Sequence, residues 1–247
     1  MSRTRHLLGI VLAKENWREN DQIISFYSQE SGKLEILVRG ARKINSKLAP
    51  LISEPFALLD LVVAQGKNYT HLIGGEVKER FKNIITEEQK IIQTNTLLKR
   101  INQLIKPQLD KKIFLLILKF LKKINQIPLN KIRIINHAFL IKFLAFSGYC
   151  PEIKICLVCH QIPQGEEIIF NLEKGGIVCL PCQQAGLKYK LDDNQNNQQI
   201  KITKQTLNVL QKFLYQDFNS LIQQNFVQKD LQVAEKVIKL FFNWHLD

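Results

Sequence analysis

Apolar residues gather in short runs at Leu7–Ala13, Gln22–Ser28, Leu34–Val38, Phe56–Ala64 and Thr70–Val77, punctuated by Gly and polar residues. Runs of this length and composition are strand signals. Turn chemistry separates the runs: Gly32-Lys33 between the second and third, and Gln65-Gly66-Lys67-Asn68 between the fourth and fifth. Pro50 and Pro55 border the longer connection. Five short strands in this length predict a small barrel, of OB or SH3-like type.

From Glu87 the texture changes to a helical one. Ile91, Leu97, Leu98, Ile101, Leu104 and Ile105 recur at three- and four-residue spacings until Pro107 intervenes, which predicts a helix. Further helices are expected over about Lys111–Ile124, Lys131–Phe146, Lys204–Leu214 and Leu231–Trp244. Lys111–Ile124 and Lys131–Phe146 are apolar on so many sides that neighbours must cover them. The fold class is therefore α+β: a barrel domain over 1–82 and a helical domain over 83–247, interrupted by a cysteine-bearing, β-like insert at about 150–190. The polar stretch Asp192 to Gln199 reads as an exposed loop.

Composition adds a strong bias to this outline. The chain has 247 residues with ordinary globular hydrophobicity, but 35 Lys and Arg face 22 Asp and Glu, a formal net charge of +13. Such a surplus attracts polyanions without saying which. The longest apolar run, Ile113–Leu118, is far shorter than the ~20 residues a bilayer requires. Leu7–Ala13 runs into Lys14 and Glu15 without a cleavage site, so a first strand is the better reading than a signal peptide, and the expected location is cytoplasmic.

Five cysteines carry the sharpest signal. Cys156-Leu157-Val158-Cys159, nineteen intervening residues and Cys179-Leu180-Pro181-Cys182 have the spacing of a four-thiolate zinc site. Each pair can wrap a turn that aims two sulfurs at one ion, and four protein ligands leave no position open for substrate, so one structural zinc is expected. Two disulfides or an iron–sulfur cluster are the other uses of such a set. Cys150 lies outside the pattern and reads as a small packed residue. His160 directly follows Cys159, and with four thiolates present its expected place is the surface of the knuckle.

The densest basic run of the barrel holds Lys33, Arg39, Arg42, Lys43 and Lys47 against Glu35. These five are the candidate phosphate-binding residues, the arginines suited to bidentate contacts and the lysines to point-charge ones. Gly40 and Ala41 would let the backbone approach a phosphate. Lys111, Lys112, Lys119, Lys122, Lys123, Lys131 and Arg133 make the helical region basic too, at spacings that would equally serve to solubilise a bundle. Among Trp17, Phe26, Tyr27 and Tyr69, the turn residue Tyr69 is the best placed to stack on a base. No phosphate-binding loop, dinucleotide fingerprint or histidine-centred triad is present, so a non-enzymatic protein is expected.

The order and spacing of Gly9-Ile10-Val11-Leu12, Glu19-Asn20-Asp21, Gly32-Lys33, Arg39-Gly40-Ala41-Arg42-Lys43 and Lys47-Leu48-Ala49-Pro50-Leu51 resemble the RecO family of bacterial recombination mediators. A second block, Gly148-Tyr149-Cys150-Pro151, the four cysteines, Phe170 and Gly175-Gly176, resembles that family's zinc knuckle, with His160 where the family usually has glycine. The resemblance implies an OB-fold joined to a helical domain. It implies binding of single- and double-stranded DNA and annealing of complementary strands at the nucleoid. It also implies work with RecR and the acidic, apolar C-terminal tail of single-stranded DNA-binding protein, to help RecA onto coated strands. A zinc-ribbon RNA-binding or ribosome-associated module is the alternative that the same charge and barrel would suit.

Overall fold

The computed structural model describes residues 4–53, 56–185 and 198–245. The chain forms two compact units, Met1–Ile132 and Arg133–Asp247.

In the first unit, β1 (Thr4–Trp17), β2 (Asp21–Ser28), β3 (Gly32–Val38), β4 (Ala57–Gln65) and β5 (Thr70–Arg80) close a barrel in the order β1-β2-β3-β5-β4. β1 pairs antiparallel with both β2 and β4, and β3 runs parallel to β5. This closure decides between the two barrel types in favour of the OB arrangement. A register shift between Val11 and Ala13 marks a bulge in β1. The bulge bends one 14-residue strand so that its first half pairs with β4 and its second half with β2.

The apolar residues of those runs fill the barrel. Leu7, Ile24, Phe26, Ile36, Val38, Leu59, Leu61, Val63 and Leu72 form one core, plugged by Ile52 of the short helix α1 (Ala49–Ser53). Tyr27 lies on the opposite face of β2 from Phe26 yet is 1% exposed. The physical reason is tertiary: its hydroxyl donates to the Asp110 carbonyl (3.2 Å), and Asp110 caps α4 (Lys111–Gln126) by accepting from the Lys112 and Ile113 N–H groups. With α2 (Lys82–Ile85) and α3 (Glu88–Leu104), α4 belongs to the barrel's compact unit. The barrel strands end at Arg80, while the compact unit continues to Ile132.

In the second unit, α5 (Ile132–Phe146) buries Ile134, Ile135, Ala138, Phe139, Leu140, Ile141, Phe143 and Leu144. It is tied to α7 (Lys204–Tyr215) by the Lys142 ammonium on the Leu214 carbonyl (2.8 Å), a cation closing a helix C-terminus. It is tied to α9 (Gln228–Trp244) by Arg133 and His137 around the buried Glu235 carboxylate. The short α8 (Phe218–Ile222) joins α7 to α9.

The insert is a three-stranded sheet with β6 (Glu167–Asn171) between β7 (Gly176–Cys179) and β8 (Gln199–Thr203), and α6 (Leu180–Gln184) follows β7. Phe170 meets Phe241 of α9 edge to face, ring centroids 5.5 Å apart. Most of the polar stretch from Asp192 lies outside the described residues, and its last residue, Gln199, opens β8. No helix among the described residues is long and apolar enough to cross a membrane.

Candidate metal centre and nucleic-acid face

The two Cys-x-x-Cys turns meet because the sheet brings them together. Leu157 donates its N–H to the Ile177 carbonyl (2.9 Å), and Cys156 N–H bonds the Gln161 carbonyl (2.8 Å), closing the first knuckle beside β7. Gly176 makes this approach possible: a Cβ there would lie 2.9 Å from both the Glu152 carbonyl and the Leu157 side chain. The sulfurs of Cys156, Cys159, Cys179 and Cys182 lie within 4.8 Å of one another, close enough for one ion to touch all four. None of the four is in a disulfide.

Electrostatics prepares the inner sulfur. Burial opposes ionisation of Cys156, but N–H groups of Cys179, Cys159 and Val158 aimed at its sulfur outweigh that and bring the thiol down to about 7. Cys182, hydrogen-bonded to the Cys179 sulfur and hindered by burial, is pushed up to about 12. Four neighbouring thiols cannot all ionise without a cation among them, so this donor set fits a soft divalent metal. Cys150 is exposed and outside the cluster. His160 is exposed, is not one of the four ligands, and has φ +58°, the left-handed backbone normally reserved for glycine. Histidine therefore keeps the glycine-type turn at the cost of strain.

At the barrel, the structure separates the five candidate cations. Lys33 lies inside β3, and its ammonium donates to the Asn102 carbonyl of α3 (2.7 Å). Arg39, Arg42, Lys43 and Lys47 are all exposed on the loop after β3. The loop is held rather than loose. Gly40 N–H donates to the Asp21 carboxylate (2.8 Å), Arg42 N–H to the Asn20 carbonyl (3.0 Å), and the Arg42 guanidinium to the Glu19 carbonyl (3.0 Å). These bonds fasten the loop to the β1–β2 turn.

Gly40 sits at φ +63°, so its role is to turn the chain. Ala41 is buried in the barrel core, so its small side chain is a packing requirement rather than an opening for phosphate. In the helices, Lys122 pairs with Glu79 (2.9 Å) and Arg133 with Glu235.

Two features carry no signal in the sequence: the anchoring of the basic loop on Glu19–Asp21, and the pairing of Trp17 with Tyr69, whose ring centroids are 6.1 Å apart. Both join segments distant along the chain, and period and spacing report only on near neighbours.

Comparison with known proteins agrees with this layout. The family profile described as Recombination protein O N terminal matches residues 1–81, and that described as Recombination protein O C terminal matches residues 104–247. The DNA repair protein RecO of Thermoanaerobacter sp. (strain X514) is 25% identical over 242 residues, covering 97% of this chain and 91% of that protein. The protein of the same name from Caldicellulosiruptor saccharolyticus is 26% identical over 242 residues, covering 92% and 95%. That from Gloeobacter violaceus is 25% identical over 197 residues, covering 78% and 74%. A closed five-stranded barrel, a helical second unit with a four-cysteine cluster and family profiles that meet both ends of the chain lead to one conclusion: this chain belongs to the RecO family of DNA repair proteins.

Proposed function

We propose that this protein is a recombination mediator that binds single- and double-stranded DNA and anneals complementary strands. In this reading it acts with RecR and the C-terminal tail of single-stranded DNA-binding protein to help RecA replace that protein on single strands. The observation that carries the reading is the fastened cationic loop after β3, on which Arg39, Arg42, Lys43 and Lys47 are all exposed.

Two strands approaching each other repel through their phosphates. A surface that neutralises phosphates lowers that barrier and lets base pairing complete the reaction, with no bond to the protein formed or broken. Lys33, engaged with Asn102, contributes to the field more than to a contact. Phosphate contacts carry no base information, so binding is indifferent to sequence.

The four cysteines hold one zinc. A Zn–S distance of about 2.3 Å in a tetrahedron places sulfurs about 3.8 Å apart, and the Cys159–Cys179 separation is 3.8 Å. Bound zinc would cross-link the two knuckles and stabilise the insert. With four protein ligands no position remains for substrate, so the metal is structural and the protein is not an enzyme in this reading.

The decisive assay is annealing of complementary strands coated with single-stranded DNA-binding protein, with and without RecR, run in parallel on RNA. Faster DNA annealing that depends on the protein supports the mediator. Activity on RNA alone would favour the RNA-binding alternative, and no annealing with either would refute both. Elemental analysis should give about one zinc per chain.

A further inference from the structure

We propose that Trp17 and Tyr69 form a stacking platform for unpaired bases, so that the barrel gains affinity for single strands that it does not gain for duplex. The proposal rests on the DNA-binding reading above and adds a readout of strand form to it.

Of the aromatics Trp17, Phe26, Tyr27 and Tyr69, Phe26 is in the core and Tyr27 is locked beneath Asp110, each no more than 1% exposed. Trp17 and Tyr69 are each half-buried and tilted 59° to one another. Neither belongs to the barrel core, which is complete without them. Trp17 closes β1 opposite Asp21. Ile24 and Phe26 point inward, so the odd-numbered Asp21 and its partner Trp17 face outward. Tyr69 immediately precedes β5 in a turn closed by the Gly66 N–H on its carbonyl (2.9 Å).

The platform lies beside the cations. Val38 pairs with Gln22, so Arg39, the next residue, falls on the far side of Asp21 from Trp17, and Gly40 bonds Asp21 directly. Arg18 follows Trp17 in the β1–β2 turn at φ +54°, and Lys67 stands two residues before Tyr69; both are exposed.

OB barrels take oligonucleotides on strands 2 and 3 and on the β1–β2 and β4–β5 loops. Here Lys33 to Asn102 and Tyr27 to Asp110 close part of the strand surface. Trp17 and Tyr69 each keep part of their surface in solvent, with the exposed cations Arg18 and Lys67 one and two residues away along the chain. Every base has a π-face to offer such rings, but only when it is out of a duplex stack.

Trp17 and Trp244 are the two tryptophans of the chain, so Trp244→Phe makes Trp17 the sole reporter in the full-length protein. Titration with oligothymidylate should quench Trp17 emission, and a duplex of equal length should not. Trp17→Ala or Tyr69→Ala should weaken single-strand binding about 5- to 150-fold, leave duplex affinity within about twofold, and leave the salt slope unchanged because no phosphate contact is removed. Trp17→Phe, which keeps a ring and the fold, should retain most of the affinity. Equal losses on both strand forms, or salt-steep single-strand binding with Trp17 unquenched, would overturn the platform alone. Failure of the unsubstituted protein to bind either form would overturn the DNA-binding reading and the platform with it.

Discussion

Removal of Arg39 and Lys43 gives the most direct quantitative test of the cationic loop. Both side chains are exposed, and neither has a side-chain partner among the described residues, so their loss should leave the barrel intact. Each phosphate that the protein no longer neutralises lowers the slope of log affinity against log salt by about 0.9 on duplex and about 0.7 on single strands. Arg39→Ala with Lys43→Ala should therefore reduce the slope by about 1.8 on duplex and about 1.4 on single strands, alike for all sequences. Adding Arg42→Ala should remove a further increment of about 0.9 or 0.7. It should also cost about 0.5–1.5 kcal/mol of stability, because it deletes the guanidinium bond to Glu19 that helps fasten the loop. The assay is fluorescence anisotropy of labelled strands over a salt series, with denaturant unfolding as the stability control. An unchanged slope in the double variant would place the phosphate contacts elsewhere and refute the assignment.

Three further outcomes are expected. Cys156→Ser should release the metal and strip hydrogen-exchange protection from β6 and β7 while β1–β5 keep theirs; intact protection throughout would show that the cysteines are not a structural centre. His160→Gly should stabilise the knuckle by about 0.5–1 kcal/mol, since a side chain at φ +58° costs about 1–2 kcal/mol and glycine's greater freedom when unfolded returns about half of that; destabilisation would mean that His160 has a contact role. Burial holds His137 below its ordinary pKa, against the pull of Glu235 and the Arg133 carbonyl and with Lys239 and Arg133 acting in the same sense as burial. The unfolded chain then binds the extra proton first, so stability should fall as pH drops below about 6.5, by at most about 1.4 kcal/mol per pH unit for this one group. His137→Asn should flatten that dependence in urea titrations between about pH 7.5 and 5.5, the range that brackets an ordinary histidine; an unaltered profile would exclude His137 as its source.

Much of this protein was legible in local sequence. Short apolar runs bounded by turn residues, such as Leu7–Ala13 and Phe56–Ala64, mark strands, and the strands formed within a few residues of those runs. Three- and four-residue spacing marked α3, α4, α5, α7 and α9 because one face of each helix must leave water. Two Cys-x-x-Cys pairs announce a metal site because a short turn fixes the direction of both sulfurs, and the four did converge. The cationic loop was readable as charge density alone.

Tertiary structure decided what these parts do for one another. Lys33 has the same charge as its neighbours in the run, but its place on β3 sends its ammonium to Asn102, 69 residues away. Ala41 and Tyr27 have their surroundings set by the closed barrel and by Asp110. The sequence shows a histidine after Cys159, and only the backbone shows that it occupies a left-handed position. Trp17 and Tyr69, far apart along the chain, become one surface through strand pairing and two turns. Period and spacing report forces that act within a turn or a strand; contacts that depend on closing long loops are determined only when the packing of the whole chain offsets their entropy.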